Sequence, residues 1–326
     1  MYARSLLRRV RARLSGGGSG AVPDPHLSDA QCRVSELWGR HAAESGERPY
    51  LPGAWTSHPI VRGAMNRRIS GREDMEWLAW ARWRFFPNPA SRVLSLGCGG
   101  GLVEREAVSL GLCQTIEGVD LSAEAIAVAR RRAADGDLSG ITYRVADLNS
   151  LELAPASYDI VICKQALHHV ERLEHLLDQV RQSLRPGGWF LVNEYVGPSR
   201  FQWTDVQLGL MNELLMLLPE RLRRLSGGVR ERIDRLPAEV VAASDPSEAV
   251  RSGEIAPLLL SRFELVERRD FGGTLLHPLL AEIIANFDPA NESEATILRL
   301  LIAFEDALLG HGVLTSDFAV FILRRA

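Results

Sequence analysis

The sequence predicts an α/β fold built on a mostly parallel sheet with helices on both of its faces. From residue 92 onward, short apolar runs alternate with stretches of helical periodicity, the pattern of strands joined by crossover helices. The runs are apolar on both faces, as a sheet covered on both sides requires. A glycine-rich turn, Gly97 to Gly101, follows the first run and precedes a helical stretch.

Each element is predicted from its own stretch of sequence. Seven strands are predicted, at residues 92–96, 115–119, 141–145, 158–163, 189–194, 263–268 and 317–324. The last two follow a long interruption, and the hairpin-like end fits one antiparallel strand added to a parallel sheet. Helical spacing predicts helices at residues 75–86, 102–110, 123–134, 173–184, 206–218, 274–285 and 294–309.

The chain divides into five predicted segments. They are a basic flexible tail (1–26), a helical N-terminal cap (27–90), a ligand-binding core (91–196), a helical insertion or lid (197–260) and the C-terminal part of the sheet (261–326). The tail is either a frayed solvated segment or a basic amphipathic helix that touches a membrane surface or a partner. The cap tryptophans either roof a substrate pocket or pack the cap onto the core. The insertion is a lid, a dimer helix or an extra layer.

Composition excludes several classes of protein. The formal charge of −3 argues against a nucleic-acid binder, which usually carries a basic surface. The four cysteines lack CxxC spacing, so neither a zinc site nor a disulfide framework is indicated, and a reduced, cytoplasmic protein is expected. The apolar runs of the N-terminus are too short for a signal peptide or a spanning helix, so stable membrane insertion is not expected.

The glycine turn is the strongest chemical signal. A strand, a glycine-rich turn and a helix together present free backbone N–H groups to a ligand. Gly97, Gly99 and Gly101 follow GxGxG spacing, whereas a dinucleotide-binding turn would place its third glycine at Leu102. Asp120 ends the next predicted strand, and Asp147 follows the third.

These motifs, in this order, resemble those of the class I S-adenosylmethionine-dependent methyltransferases, whose fold is Rossmann-like. The resemblance covers residues 92–194 and implies S-adenosylmethionine as cofactor. It assigns the ribose hydroxyls to Asp120 and the adenine to Asp147 and its neighbours. The residues it assigns to cofactor binding are Ser95, Gly97, Cys98, Gly99, Gly101, Asp120, Leu121, Ala146, Asp147, Leu148, Lys164 and Gln165.

Two of these assignments have structural alternatives, and one position departs from the family. Asp120 can instead cap the following helix, for which Ser122 is an equally good candidate. Asp147 can be a simple turn former. Ser95 stands where the family usually has an acidic residue two positions before the first glycine.

The candidate catalytic residues are His168, His169 and Glu194, which follow the fourth and fifth strands. Either histidine can act as a general base, or the two can be a packing pair at a helix start. Glu194 can accept a proton or bind a polar acceptor, or it can form an ion pair with Arg200. Further candidates are Tyr195 and His277, and residues 193–203 are the predicted acceptor pocket because they follow a strand end.

Absent motifs narrow the expected reaction. The segment after the fourth strand lacks the Asp/Asn-Pro-Pro-aromatic tetrad of base-amine methyltransferases, the paired glutamates of arginine methyltransferases and the acidic metal ligands of catechol-type enzymes. The expected function is metal-independent methyl transfer to oxygen or nitrogen of a small molecule or glycan, and a homodimer is one arrangement open to it. The alternatives are another reaction of the same cofactor, such as aminopropyl transfer, and a catalytically silent cofactor-binding scaffold.

Overall fold

The computed structural model describes residues 28–44 and 53–325. The predicted basic tail, residues 1–26, lies outside the described residues. The strands in the described part are β1 (Ala90–Leu96), β2 (Cys113–Asp120), β3 (Ile141–Val145), β4 (Tyr158–Lys164), β5 (Leu184–Tyr195), β6 (Arg224–Leu225), β7 (Gly228–Val229), β8 (Glu264–Gly272) and β9 (Phe318–Arg324).

Seven of these strands form one sheet, in the order β3-β2-β1-β4-β5-β9-β8. Neighbours from β3 to β5 are parallel, and β9 lies antiparallel between β5 and β8. The predicted seven-stranded, mostly parallel sheet with one antiparallel strand is therefore confirmed. Strands β6 and β7 form a separate small hairpin.

Helices surround the sheet. They are α1 (Asp29–Glu44), α2 (Pro59–Ser70), α3 (Trp77–Phe85), α4 (Leu102–Ser109), α5 (Ala123–Asp135), α6 (Leu173–Ser183), α7 (Asp205–Leu217), α8 (Ala238–Ser244), α9 (Ser252–Arg262), α10 (Leu276–Leu280) and α11 (Glu292–Gly310). The single helix predicted over 274–285 is interrupted. Glu282 has φ +68° and donates its N–H to the Gly53 carbonyl, so the chain leaves helical geometry after α10.

The core consists of two large apolar layers, one on each face of the sheet, and a small third cluster around α5. In β1, Val93 packs into one layer and Leu94 into the other, and both are fully buried, because successive strand residues point to opposite faces. Residues of α2, α3 and α4 join the first layer, while those of α6 and α9 join the second. Helices thus cover both faces, as predicted.

The tryptophans of the N-terminal region do not all have the same surroundings: three pack the cap onto the core, one lines a cavity and one is exposed. Trp55, Trp77 and Trp80 are buried in the first apolar layer, as packing residues. Trp83 is 66% exposed, and Trp38 lies over a cavity described below. In the described residues, no helix is both long and apolar enough to cross a membrane.

The segment between β5 and β8 contains α7, the β6–β7 hairpin, α8 and α9. Arg200 fixes its path, because the guanidinium donates hydrogen bonds to the backbone carbonyls of Asp245, Pro246 and Glu248. A charged donor shared among three carbonyls holds residues 245–248 firmly. The segment is anchored in this way beside the carboxyl ends of β4 and β5, since the N–H of Val250 also donates to the carbonyl of His168.

Candidate active site

The glycine turn after β1 requires glycine for two different reasons. Gly97 has φ +65°, and a Cβ added there would lie 2.3 Å from Cβ of Ala166. Gly99 has φ +49°, but a Cβ added there would meet no atom within 4 Å. Gly97 therefore allows the turn after β4 to approach the turn after β1 closely. Gly99 leaves open space above the backbone, and we call this space and the turn beneath it, residues 97–101, the glycine cradle.

A cavity of about 360 Å³ opens over this turn at the carboxyl edge of the sheet. Open α/β sheets bind ligands at this edge. The predicted cofactor residues that line it are Gly97, Gly99, Asp120, Leu121, Asp147, Leu148 and Gln165. The remaining predicted cofactor residues, Ser95, Cys98, Gly101, Ala146 and Lys164, are not among its lining residues.

Those remaining residues support the turn from behind or lie beside it. Ser95 and Cys98 are 2% and 7% exposed, so neither presents its side chain to a ligand. Gly101 donates its N–H to the Cys98 carbonyl and closes the turn. Lys164 is the last residue of β4 and pairs in register with Asn193 of β5.

The Asp120 carboxylate holds the turn in place. One oxygen accepts the N–H of Gly99 at 2.9 Å, and the other accepts the N–H of Ser122 at 2.9 Å. The cap of α5 is the hydroxyl of Ser122, which accepts the N–H of Ala125 at 3.3 Å. The alternative in which Asp120 caps the helix is therefore wrong. Burial raises the pKa of Asp120 above its ordinary value.

Asp147 forms a turn and also lines the cavity. Its Oδ1 accepts the backbone N–H of Asn149 at 2.9 Å, which is a turn-forming bond. Its Oδ2 accepts Nε2 of Gln31 at 2.7 Å, and both side chains line the cavity. The carboxylate thus stabilises its turn and also faces the ligand space.

Helix α1 roofs the cavity; it belongs to the predicted helical cap, but none of its residues was predicted to line the cofactor site. Gln31, Val34, Trp38 and Ala42 of this helix line the ligand space. It docks closely on α5, since a Cβ added at Gly39 would lie 2.5 Å from the Glu124 carboxylate. Its residues carry no motif, and only the helical spacing of small and apolar side chains could have suggested a packed surface.

Glu194 lies outside the cavity and organises the turn that carries the two histidines. Its carboxylate is fully buried, accepts the backbone N–H groups of Ala166 and Leu167, and pairs with Nδ1 of His168. The alternative ion pair with Arg200 is wrong, because Arg200 donates to the three carbonyls of residues 245–248 instead.

The two adjacent histidines have opposite protonation preferences. Burial by itself would lower the pKa of His168, but the Glu194 carboxylate raises it to about 9. Burial and the positive charge of His168 hold the pKa of His169 well below its ordinary value. His168 is therefore a buried cation and His169 a neutral imidazole at neutral pH. Of the three predicted catalytic residues, only His169 lines the cavity.

The histidines also meet a carboxylate from the insertion. Ligand atoms of His168, His169 and Glu248 all lie within 4.8 Å of one another, a spacing that would admit a divalent cation. Nε2 of His168 lies 3.7 Å from Oε1 of Glu248, so the buried imidazolium already supplies a positive charge there. Burial raises the pKa of Glu248 to about 7.

The predicted acceptor pocket at residues 193–203 is filled by packing. Tyr195, Phe201 and Trp203 are buried in an apolar layer, and none of them lines the cavity. His277 packs against Tyr195 and Phe318 in the same layer, and burial lowers its pKa to about 4. The insertion reaches the cavity instead through Pro246, Ser247 and Val250.

Comparisons with known proteins agree with this geometry. A family model described as a methyltransferase domain matches residues 94–192. Ubiquinone biosynthesis O-methyltransferases are similar to this chain over about a hundred residues. The protein of Paraburkholderia phymatum is 35% identical over 101 residues, which are 30% of this chain and 41% of the relative. That of Paracidovorax citrulli is 34% identical over 104 residues, 32% of this chain and 43% of the relative. The matched region thus spans about two fifths of these relatives.

Solved structures extend the likeness of fold to nearly the whole chain. A geranyl diphosphate C-methyltransferase from Streptomyces coelicolor A3(2) has a TM-score of 0.54 at 13% identity, covering 94% of this chain and all of the other. A geranyl diphosphate methyltransferase complex has a TM-score of 0.53 at 14% identity, covering 91% and 100%. Residues 94–192 are therefore similar to methyltransferase domains, and the sheet order and the glycine turn agree with the fold of the class I S-adenosylmethionine-dependent methyltransferases that the sequence resembles.

Proposed function

We propose that the cavity binds S-adenosylmethionine and that the chain transfers its methyl group to oxygen or nitrogen of a small molecule or glycan. The observation that carries the proposal is the convergence of the glycine cradle, Asp120 and Asp147 on one cavity. The cofactor supplies a methyl group made electrophilic by a sulfonium. The curated relatives named as O-methyltransferases favour oxygen as the acceptor atom.

Each side of the cavity suits one part of that cofactor. Asp120 offers carboxylate oxygens to the ribose hydroxyls, and Asp147 offers Oδ2 to the adenine amine beside Leu148. The open space above Gly99 lets the methionine portion approach the backbone, with Gln165 alongside. Ser95, Cys98, Gly101, Ala146 and Lys164 act from outside the cavity lining.

The lining also favours a class of acceptor. Its acidic members in the described residues are Asp120, Asp147 and Glu171, its basic members are His41 and His169, and it contains no lysine or arginine. A phosphorylated acceptor would meet three carboxylates and no permanently charged cation there, so an uncharged acceptor is favoured. Around His169, the lining residues Trp38, Pro246 and Val250 provide apolar contacts.

We propose that His169 is the base that takes the acceptor proton and that the reaction needs no metal. The neutral imidazole lies in the cavity wall, and an aligned acceptor attacks the methyl carbon without Lewis-acid help. Full activity after removal of divalent cations by a chelator is the expected result. Loss of activity that Zn²⁺ or Mg²⁺ restores would instead make His168, His169 and Glu248 metal ligands.

Calorimetric titration with S-adenosylmethionine and S-adenosylhomocysteine tests the cofactor site. Asp120→Ala is expected to weaken binding about 5- to 150-fold, the equivalent of about 1–3 kcal/mol for charged hydrogen bonds. Asp178→Ala is the matched control, because Asp178 lies exposed on α6 and pairs with Arg262. No binding by the unaltered protein would overturn the proposal, whereas binding without methyl transfer to any acceptor would favour the catalytically silent cofactor-binding scaffold.

The remaining expectations stay proposals. We propose a cytoplasmic protein without nucleic-acid partners or stable membrane insertion, in which residues 197–260 serve as a lid or a homodimer contact. Cys32, Cys98, Cys113 and Cys163 all lie in the described residues and form no disulfide there, as a reducing compartment would allow. A different reaction of the same cofactor is the second candidate, and product analysis after incubation with an acceptor distinguishes it from methyl transfer.

A further inference from the structure

The insertion places a polar loop directly against the proposed base. Residues 245–248 are held by Arg200, and Ser247 lines the cavity beside His169. Oγ of Ser247 lies 3.1 Å from Nδ1 of His169. Asp245 stands behind Ser247 and is 3% exposed. These contacts form a chain from a buried carboxylate to an imidazole in the cavity wall.

The donors and acceptors in this series of hydrogen bonds determine which ring nitrogen of His169 carries the proton. The Ser247 hydroxyl has a single hydrogen, and it donates to Oδ1 of Asp245 at 2.8 Å. The backbone N–H of Ser247 donates to the same oxygen at 2.9 Å, which holds the carboxylate in place. Ser247 Oγ can therefore only accept from His169, so Nδ1 of a neutral His169 carries the ring proton. Nε2 of His169 then carries a lone pair and no proton.

The geometry of Nε2 suits a proton acceptor. Among the residues that the structure describes, Nε2 of His169 has no hydrogen-bond partner. The ring of Trp38 lies edge-on to the imidazole with centroids 4.8 Å apart, and the ring of His168 lies 4.1 Å away on centroids. The imidazole is thus held between rings with one nitrogen already bonded and the other available.

We infer that Asp245 and Ser247 are positioning residues that lock His169 in the Nδ1–H tautomer, so that Nε2 takes the proton of the methyl acceptor. The inference rests on the proposed function. The acceptor O–H proton passes to Nε2 while the oxygen forms its bond to the methyl carbon, and the C–S electron pair returns to sulfur. The imidazolium then releases the proton to solvent.

The neighbouring charges support this assignment. His168 is a buried cation that Glu194 and Glu248 balance, and its charge disfavours a second proton on His169. Two adjacent imidazoles whose pKa values are pushed apart take different roles. His168 supplies a fixed charge, and His169 remains neutral until the acceptor delivers a proton.

Nitrogen-15 NMR of the protein labelled at histidine tests the inference without any acceptor. His169→Asn assigns the resonances by their loss. We expect one-bond proton coupling at Nδ1 of His169 and none at Nε2 near pH 7.5, and loss of that pattern in Ser247→Ala. Ser247→Thr, which keeps the hydroxyl, should retain it. Asp245→Ala should admit the Nε2–H tautomer although Ser247 is present, because the hydroxyl can then donate to the ring.

Three results would overturn the inference. They are an Nε2–H tautomer in the unaltered protein, an unchanged tautomer in both Ser247→Ala and Asp245→Ala, and a shift of both histidine Nε2 resonances by one equivalent of Zn²⁺. Calorimetry with S-adenosylmethionine on the same samples separates this outcome from failure of the proposed function. Cofactor binding by the unaltered protein together with any of these three results would overturn the inference alone, whereas no binding by the unaltered protein would overturn the proposed function.

Discussion

Alanine substitutions at Gly97 and Gly99 should have separable effects on stability and on ligand binding. Both residues have positive φ, so an L side chain costs about 1–2 kcal/mol at either position. At Gly97 the new Cβ would also lie 2.3 Å from Cβ of Ala166, and overpacking of this kind adds about 1–3 kcal/mol. At Gly99 the Cβ meets no protein atom within 4 Å and projects into the cradle.

The expected results follow from those contacts. Gly97→Ala should lower the free energy of unfolding by about 2–5 kcal/mol, and Gly99→Ala by only about 1–2 kcal/mol. Gly99→Ala should nevertheless weaken S-adenosylmethionine binding at least about tenfold, the equivalent of about 1.4 kcal/mol for lost backbone contact. Urea unfolding measures the first quantity, and calorimetry measures the second.

Gly71→Ala is the matched control for backbone strain. Gly71 has φ +82° at the end of α2, and a Cβ added there would meet no atom within 4 Å. It should lose about as much stability as Gly99→Ala, about 1–2 kcal/mol, and keep full cofactor affinity. The reasoning fails if Gly99→Ala binds the cofactor as tightly as Gly71→Ala, because the cradle would then not be where the ligand approaches.

Two further predictions concern the cavity surroundings. Glu104 is fully buried, and burial raises its pKa to about 7 although a hydrogen bond from Ser95 acts in the opposite direction. The folded pKa lies above the unfolded one, so stability should fall by up to about 3 kcal/mol as the pH rises from about 4.5 to 7. In Glu104→Gln the free energy of unfolding, measured with urea, should depend less on pH than in the unaltered protein. The same pH dependence in both proteins would contradict this prediction. Trp38→Ala should weaken cofactor binding by about 2- to 10-fold, the equivalent of about 0.5–1.5 kcal/mol for a lost aromatic contact, while the exposed Trp83→Ala should not. Equal cofactor affinities of Trp38→Ala and Trp83→Ala would contradict a contribution of Trp38 of α1 to the cofactor site.

The sequence sufficed for the sheet and the cradle because their signals are local. A strand, a glycine turn and a helix lie within residues 90–109, and the spacing of Gly97, Gly99 and Gly101 distinguished the cofactor class. Asp120 and Asp147 could be placed because each follows a strand whose carboxyl end reaches the same edge of the sheet. The prediction of one helix over 274–285 is wrong, because the N–H of Glu282 donates a long-range hydrogen bond to the Gly53 carbonyl and the chain leaves helical geometry after α10.

Only the tertiary structure decided what surrounds the cradle. Gln31 reaches Asp147 across 116 residues of sequence, and His169 meets Ser247 across 78. Such pairs depend on how α1 and the insertion pack, and helical spacing in these segments does not tell which distant residues they will contact. The sequence by itself therefore determined the α/β sheet and the candidate ligand turn, because backbone geometry there follows from consecutive residues. The roof, the tautomer of His169 and the separate roles of His168 and Glu194 required the fold, because burial and distant charges set them.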